Sequence, residues 1–404
     1  MKTEKYDVLI IGGGLVGASL LCALEPCIHE QGLRVALVES HDIDEPRDTP
    51  PSYDARASAL SYGTGLIYER LGLWDELSES ATAIEDIHVS ERGHFGVTRL
   101  NAYEQGVPAL GYVVENHRIG AVLLRRLKNY REQNLVDVFS PAEVEQLKPL
   151  PEASMEVAVR SGDREHVLEA SLVVLADGGR SSLMDQLCIY RKQYDYQQHA
   201  LIANVSLSQA HNGMAWERFA GDGPMALLPL SDDRCALVWT LPSSDIDRYL
   251  EMNDECFLQT VQDSFGNGAG RFTRTGKRDS YPLSLNVARE QVRPGLVILG
   301  NAAHAMHPVA GQGYNLAVRD TMALAENIQQ SLESAGTPGD LTRLLAYVEK
   351  QRKDQTTTLG FCDALVKLFA RKEPSVIVAR NLGLLGMDMS RTLKNAFARK
   401  AMGL

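Results

Sequence analysis

Apolar positions along this chain fall into three patterns, and each predicts a different element. Short continuous runs bounded by glycine occur at 6–11, 35–38, 171–175 and 295–299. Such runs read as strands covered on both faces, because alternation disappears when neither face meets water. Between about 194 and 281 the texture changes to alternating segments at 201–205, 215–219, 225–229, 235–239 and 271–274. These predict an antiparallel meander, with Ser231-Asp232-Asp233 as a hairpin turn and a helix from Asp254 to Phe265. Helical periodicity marks 18–24, a segment ending near Leu71, 119–130, a long helix from about 312 to 334, and most of 340–369. Shorter strands are expected at 84–90 and 98–100 about a turn at 92–94, and at 112–116, 136, 155–159 and 167–169. Residues 41–53, rich in Asp and Pro, read as an irregular loop.

These textures divide the chain into three regions. A discontinuous α/β domain takes 1–75, 110–190 and 282–340, a β-sheet domain takes 76–109 and 191–281, and a helical region takes 341–404. The fold class expected is α/β, with a Rossmann-type domain at its centre.

The first α/β unit carries chemistry. The strand at 6–11 runs into Gly12-Gly13-Gly14-Leu15-Val16-Gly17, a G-x-G-x-x-G pattern, and the second strand stops on Glu39. Gly12 permits the tight turn, Gly14 lets backbone approach a pyrophosphate, and Gly17 lets helix and strand pack closely. The helix N-terminus faces the phosphate charge, and Glu39 is placed to accept hydrogen bonds from ribose hydroxyls. Strand, turn, helix, second strand and terminal acid together point to an adenine dinucleotide. Arg56, delivered beside the glycine turn, has the two-pronged geometry to pair with a pyrophosphate or else is a surface arginine. A second turn, Asp177-Gly178, ends the strand at 171–175, and Gly300-Asn301 ends the one at 295–299.

Charge and cysteine usage narrow the classes. The formal net charge of −11 leaves no basic footprint for nucleic acid. The last 41 residues, from Ala364, hold eight Lys/Arg against two Asp/Glu, so the rest of the chain carries −17. Six cysteines without a C-x-x-C pair give neither a zinc site nor a disulfide framework, which suits a reducing cytoplasm. The uncharged run 8–24 has a glycine-rich centre and acidic residues before it, unlike a secretory signal.

The glycine turn with Glu39, the Asp177-Gly178 turn and the Gly300–Asn315 stretch, in that order, resemble the FAD-dependent aromatic hydroxylases, the para-hydroxybenzoate hydroxylase-like flavoprotein monooxygenases. Within that family the chain is similar to the ring hydroxylases of ubiquinone biosynthesis, on 54–56, 88–94, 216–219, 223–224, 234–239, 276–278, 281–283 and 307–313. The resemblance implies FAD held by Gly12, Gly14, Gly17, Glu39, Arg56, Asp177, Gly178, Gly300, Asn301, Pro308, Gly311, Gln312, Gly313 and Asn315. It makes the α/β domain the FAD-binding domain and the β-sheet domain the substrate domain. It implies a polyprenylphenol lipid substrate hydroxylated on its ring, at C1, with O₂ and a reductant, NAD(P)H or another donor, that binds transiently. A sister enzyme acting at C5 or C6 and a flavin-dependent reductase are the alternatives. A complex with other ubiquinone-synthesis proteins is a further implication. Two positions depart from the family pattern: Asn301 stands where Asp is usual, and Met184 where Arg is usual.

Ring hydroxylation asks the protein to stabilise negative charge on the reduced flavin and to exclude water. The backbone N–H groups of 308–315, at the start of a long helix, suit the first task. The meander suits the second, with Trp216, Phe219 and Trp239 as candidate lining and His94, Arg218 and Tyr281 as candidate phenol ligands. His304 and His307 lack a carboxylate partner in the sequence pattern, and no residue is assigned a catalytic or metal-binding role. The segments 364–372 and 391–400 put apolar and basic residues on opposite sides at helical spacing. Such faces suit peripheral attachment to an anionic inner membrane or packing on the parent domain.

Overall fold

In the computed structural model the first strand, Glu4–Ile11, lies at the centre of a parallel sheet. The structure describes residues 4–45, 56–220, 223–307, 309–371 and 373–404. Glu4–Ile11 pairs in parallel with Val35–Val38 on one side and with the long strand Arg164–Leu175 on the other. Val136–Phe139 and Leu296–Ile298 extend the parallel set outward. Val8, Leu9 and Ile10 are fully buried, which is why the run does not alternate. Helices Leu15–Ala23, Asn116–Glu132 and Gln312–Glu333 cover one face. The other face is closed by an antiparallel layer, Glu143–Pro149 and Met155–Ser161. Met184 sits in that second layer at 1% exposure, so an apolar side chain packs at the position where the resemblance implies an arginine.

The second sheet has nine strands. Its centre is Arg191–Leu207, Arg234–Pro242, Gly223–Pro229 and Met214–Ala220, all antiparallel, and Asp86–Glu91 joins Met214–Ala220 in parallel. Side chains alternate across it: Leu201, Leu237 and Trp239 pack against helices Ile246–Glu251 and Asp254–Phe265, while Ile202, Ala236 and Val238 face inward. Strand Asp279–Ala288 pairs with Arg191–Leu207 along its length and then with His304–Ala305. The sheet therefore runs past residue 282, the boundary expected from the sequence, because Leu283, Leu285 and Val287 continue an alternation that looks like loop when read without its partner strand. Residues 57–61, read as the approach to a helix, form the strand Ala57–Ser61 in a small sheet with Gly111–Glu115 and Thr82–Ile84.

Three helices end the chain: Leu341–Ala370, Pro374–Met389 and Arg391–Ala401. Pro374–Met389 lies along the edge strand Val97–Asn101 and takes up its free groups. Asn381 accepts from Gly96 N–H at 2.9 Å, Asp388 accepts from Arg99 N–H at 2.8 Å, and the Thr98 hydroxyl donates to the Leu384 carbonyl at 2.7 Å. No helix among the described residues is long and apolar enough to cross a membrane.

Candidate active site

The glycine turn leaves no room for side chains. A Cβ on Gly17 would lie 2.0 Å from the Gly12 carbonyl oxygen, and one on Gly12, at φ +100°, would lie 2.7 Å from the Ala176 oxygen. Helix Leu15–Ala23 begins at Gly14 with no side-chain cap, so its first N–H groups open toward the cavity. Glu39 closes the turn from the second strand: one carboxylate oxygen accepts from Gly13 N–H at 2.6 Å, the other from His41 N–H at 2.9 Å.

From Glu39 a single cavity of about 1200 Å³ runs past Gly12, Gly14, Asp177 and Gly178 to Asn301 and the 311–315 segment, then under the second sheet. Pockets for drug-sized ligands are typically ~300–1,000 Å³, so this space accommodates a dinucleotide and a second ligand. The backbone cradle at 12–17 and the polar wall that follows it fit FAD. Asp177 turns both carboxylate oxygens inward on its own turn, accepting from Gly179 and Ser181 N–H at 2.9 Å each. Asn315 is likewise committed to protein: it accepts from Ser61 N–H at 2.8 Å and donates to the Ala59 and Gly311 carbonyls at 2.8 Å. It fixes Gly311, at φ +60°, at the start of helix Gln312–Glu333. Gln312 and Gly313 line the cavity, whereas Gly17 and Gly300 shape the backbone behind it. Pro308 lies outside the described residues, as do Asp54 and Ala55. Arg56 is on the cavity wall with its guanidinium 4.5 Å from the centre of the Tyr281 ring, which also lines the space.

Of the two histidines, His304 differs from expectation. His304 has a carboxylate partner after all, Asp320, at 2.9 Å with both side chains 1% exposed, and Gln355 donates to the same carboxylate at 3.1 Å. The partner comes from the next helix, one face of which only the fold turns toward His304. This pair lies behind the cavity wall. His307 is on the wall, and burial pushes its imidazole down to about 4; its Nδ1 accepts from Val309 N–H at 3.2 Å and its Nε2 has no partner among the described residues.

In the substrate half, Phe219 faces the cavity and Trp216 reaches its margin while meeting Phe265 at 6.4 Å on the far side. Trp239 does not line it. Its ring is fully buried in the outer core, 5.0 Å from Tyr249, because position 239 has the opposite parity to the inward Val238. Arg218 also points outward, 5.9 Å from the Phe265 ring, and His94 lies 3.8 Å from Glu91 and does not line the cavity. Two contributors escaped the sequence reading. Glu217 enters the inner face between Ala215 and Phe219, a placement legible from alternation alone. The C-terminal helices supply Phe369, Leu384, Met387 and Met402 to the wall, and no local signal marked them. Residues 391–402 pack on the domain through Ala398 and Met402, with Gly63 N–H donating to the Met402 carbonyl at 2.8 Å.

Residues 5–359 match the FAD binding domain family. The ubiquinone hydroxylase UbiL of Rhodospirillum rubrum is 35% identical over 398 residues, covering 98% of this chain and 89% of that protein. The human mitochondrial ubiquinone biosynthesis monooxygenase COQ6 is 28% identical, covering 98% and 92%. The crystal structure of p-nitrophenol 4-monooxygenase PnpA from Pseudomonas putida superposes with a TM-score of 0.80 at 18% identity, covering 100% of this chain and 99% of that one.

Proposed function

This chain belongs to the FAD binding domain family and is a flavoprotein monooxygenase, and within that class we propose that it hydroxylates a ubiquinone precursor, a 2-polyprenyl-6-methoxyphenol, at the carbon para to its hydroxyl, which is C1 in the numbering of the ubiquinone ring. The observation that carries the reading is the shape of the cavity. Its Rossmann end offers backbone N–H groups and carboxylates, and its other end is a largely apolar sheet face that suits an isoprenoid tail. Names of the Rhodospirillum and human relatives support the pathway.

The residues divide the work. Gly12, Gly14 and Glu39 would hold the adenosine and pyrophosphate end of FAD, with Arg56, Asp177 and Gly178 near the middle. The N–H groups at 311–313 and the helix behind them would stabilise negative charge at the isoalloxazine end. When bound, FAD supplies the activation of O₂ using electrons from a transient donor, NAD(P)H in this proposal. Phe219, Val238 and Phe369 exclude water and align the ring.

Helix Pro374–Met389 supports attachment to a lipid surface. Its cavity face carries Leu384 and Met387, while Val378, Leu382 and Met389 on the opposite side are 51%, 55% and 79% exposed. A lipid substrate passing from membrane to cavity would meet this helix first, and a docking partner from the same pathway would use the same stripe.

The test is mass spectrometry of quinone intermediates in bacterial cells lacking this protein, with the purified protein's cofactor determined alongside. Accumulation of the 6-methoxyphenol precursor is the expected result. A later demethoxylated quinone would move the activity to a sister hydroxylase, and normal ubiquinone would overturn the pathway assignment.

A further inference from the structure

The inner face of the nine-stranded sheet is mostly apolar, with Thr98, Tyr281 and Ser284 toward its edges and the carboxylate of Glu217 entering at strand Met214–Ala220. On strand Met214–Ala220, Ala215, Glu217 and Phe219 point into the cavity. The neighbouring strands place Val89 and Ala226 in register on either side of Glu217. Helix Leu341–Ala370 covers this part of the sheet, with Phe369 stacked on Phe219 at 3.4 Å and Leu365 on the same wall. Among the described residues Glu217 makes no hydrogen bond and no ion pair, and the surface it retains opens into the cavity.

An unpartnered carboxylate in an apolar wall is costly, and a cavity opening onto it points to a ligand group that completes it. In the ring-hydroxylase reading, on which this step rests, the substrate has one acidic group, its phenol hydroxyl. We propose that Glu217 is the general base that accepts the phenol proton and holds the ring oxygen while the ring is attacked. The O–H bond breaks, its electron pair stays on the phenolate oxygen, and the proton moves to a carboxylate oxygen of Glu217. No electron enters or leaves in this step. The phenolate is richer in electrons at its ortho and para carbons, where an electrophilic oxygen adds. When the ring rearomatises, the carbon that received oxygen gives up its hydrogen as a proton to the second oxygen atom of O₂, which leaves as water, and the proton held by Glu217 returns to the ring oxygen, leaving Glu217 ionised for the next turnover.

The surroundings suit that role. Burial alone pushes the Glu217 carboxyl up to about 7, close to the pH at which a base works best. The nearest ionisable group on the covering helix is Cys362, whose thiol is raised to about 12 by burial and then by the Glu217 charge, so it stays neutral. His307, Tyr281 and Arg56 share the cavity from other elements.

The experiment uses the FAD-loaded full chain with 2-geranyl-6-methoxyphenol as the probe. Glu217→Gln is expected to keep FAD and probe binding, lose on the order of 100-fold in hydroxylation, and lose the rise of kcat/KM through neutral pH. Glu217→Asp should recover part of the rate with a displaced pH profile, and a ring-fluorinated probe of lower phenol pKa should be less sensitive to Glu217→Gln. A Glu217→Gln enzyme with wild-type rate and pH profile overturns the base and leaves the hydroxylase reading intact. If Glu217→Gln fails to load FAD, an undisplaced profile in Glu217→Asp overturns it instead. Wild-type holoenzyme that neither binds nor hydroxylates the probe overturns the reading and the base together.

Discussion

Arg380 and Glu91, 289 residues apart in sequence, form a two-pronged ion pair with both side chains under 10% exposed. The Arg380 Nε donates to Glu91 at 2.9 Å, its other nitrogens reach the second carboxylate oxygen and the carbonyls of Leu368 and Arg371, and Asn381 adds a bond to Glu91 at 2.6 Å. The pair joins the last long helices to the strand Asp86–Glu91, and so holds the C-terminal wall of the cavity in place.

Removing one partner strands a buried charge. Arg380→Met should cost about 3–5 kcal/mol in reversible urea unfolding, and Arg380→Met with Glu91→Leu should cost less than Arg380→Met alone. Equal costs for the single and double variants would show that the helix is held by its other contacts.

Glycines at 17 and 360 predict opposite signs. At Gly17 a methyl group meets the Gly12 carbonyl at 2.0 Å, whereas at Gly360, inside helix Leu341–Ala370, it meets nothing within 4 Å. Gly17→Ala should lose about 1–3 kcal/mol of stability together with the flavin absorbance of the purified protein. Gly360→Ala should gain about 0.5–1 kcal/mol and keep its flavin.

Burial of His307 makes stability depend on pH. Its ordinary value of 6.5 falls to about 4 in the fold, so between those values the unfolded chain binds a proton that the native state refuses. The contribution is therefore complete above pH 6.5 and is lost as pH falls toward 4, by about 3 kcal/mol at most. His307→Gln should flatten the unfolding free energy between pH 6.5 and 4 relative to wild type, and parallel curves would place the pH dependence elsewhere.

The exposed stripe on Pro374–Met389 predicts lipid binding. Leu382→Glu with Met389→Glu should reduce co-sedimentation with vesicles containing anionic lipid at least tenfold while FAD content and melting temperature stay at wild type. Unchanged sedimentation would remove the membrane from the proposal, and co-purification of a pathway protein lost in the same variant would replace it.

Much of this architecture was legible because it rests on local rules. The buried run 6–11, the glycines at 12, 14 and 17 and the acid at 39 lie within one supersecondary unit whose spacing is set by strand and helix geometry. The helix from Asp254 to Phe265 matched its predicted bounds because its cap, Asn253, and its terminating Gly266 are local signals. Strand parity holds more than the aromatic lining Trp216, Phe219 and Trp239 took from it: the inward set 215, 217 and 219 follows from a period of two, and by the same rule Trp239 belongs outside.

The sequence by itself determined the Rossmann unit, the meander, the C-terminal helices and the family, since each depends on residues near one another or on a periodicity carried along one element. Only the tertiary structure decided the partners. It brought Asp320 to His304, Glu91 to Arg380 and Phe369 to Phe219, and it turned the basic C-terminal segments into a wall of the cavity. These contacts join elements 16 to 289 residues apart, and a side chain's partner across such a gap is chosen by how the sheets and helices pack, which no local pattern encodes.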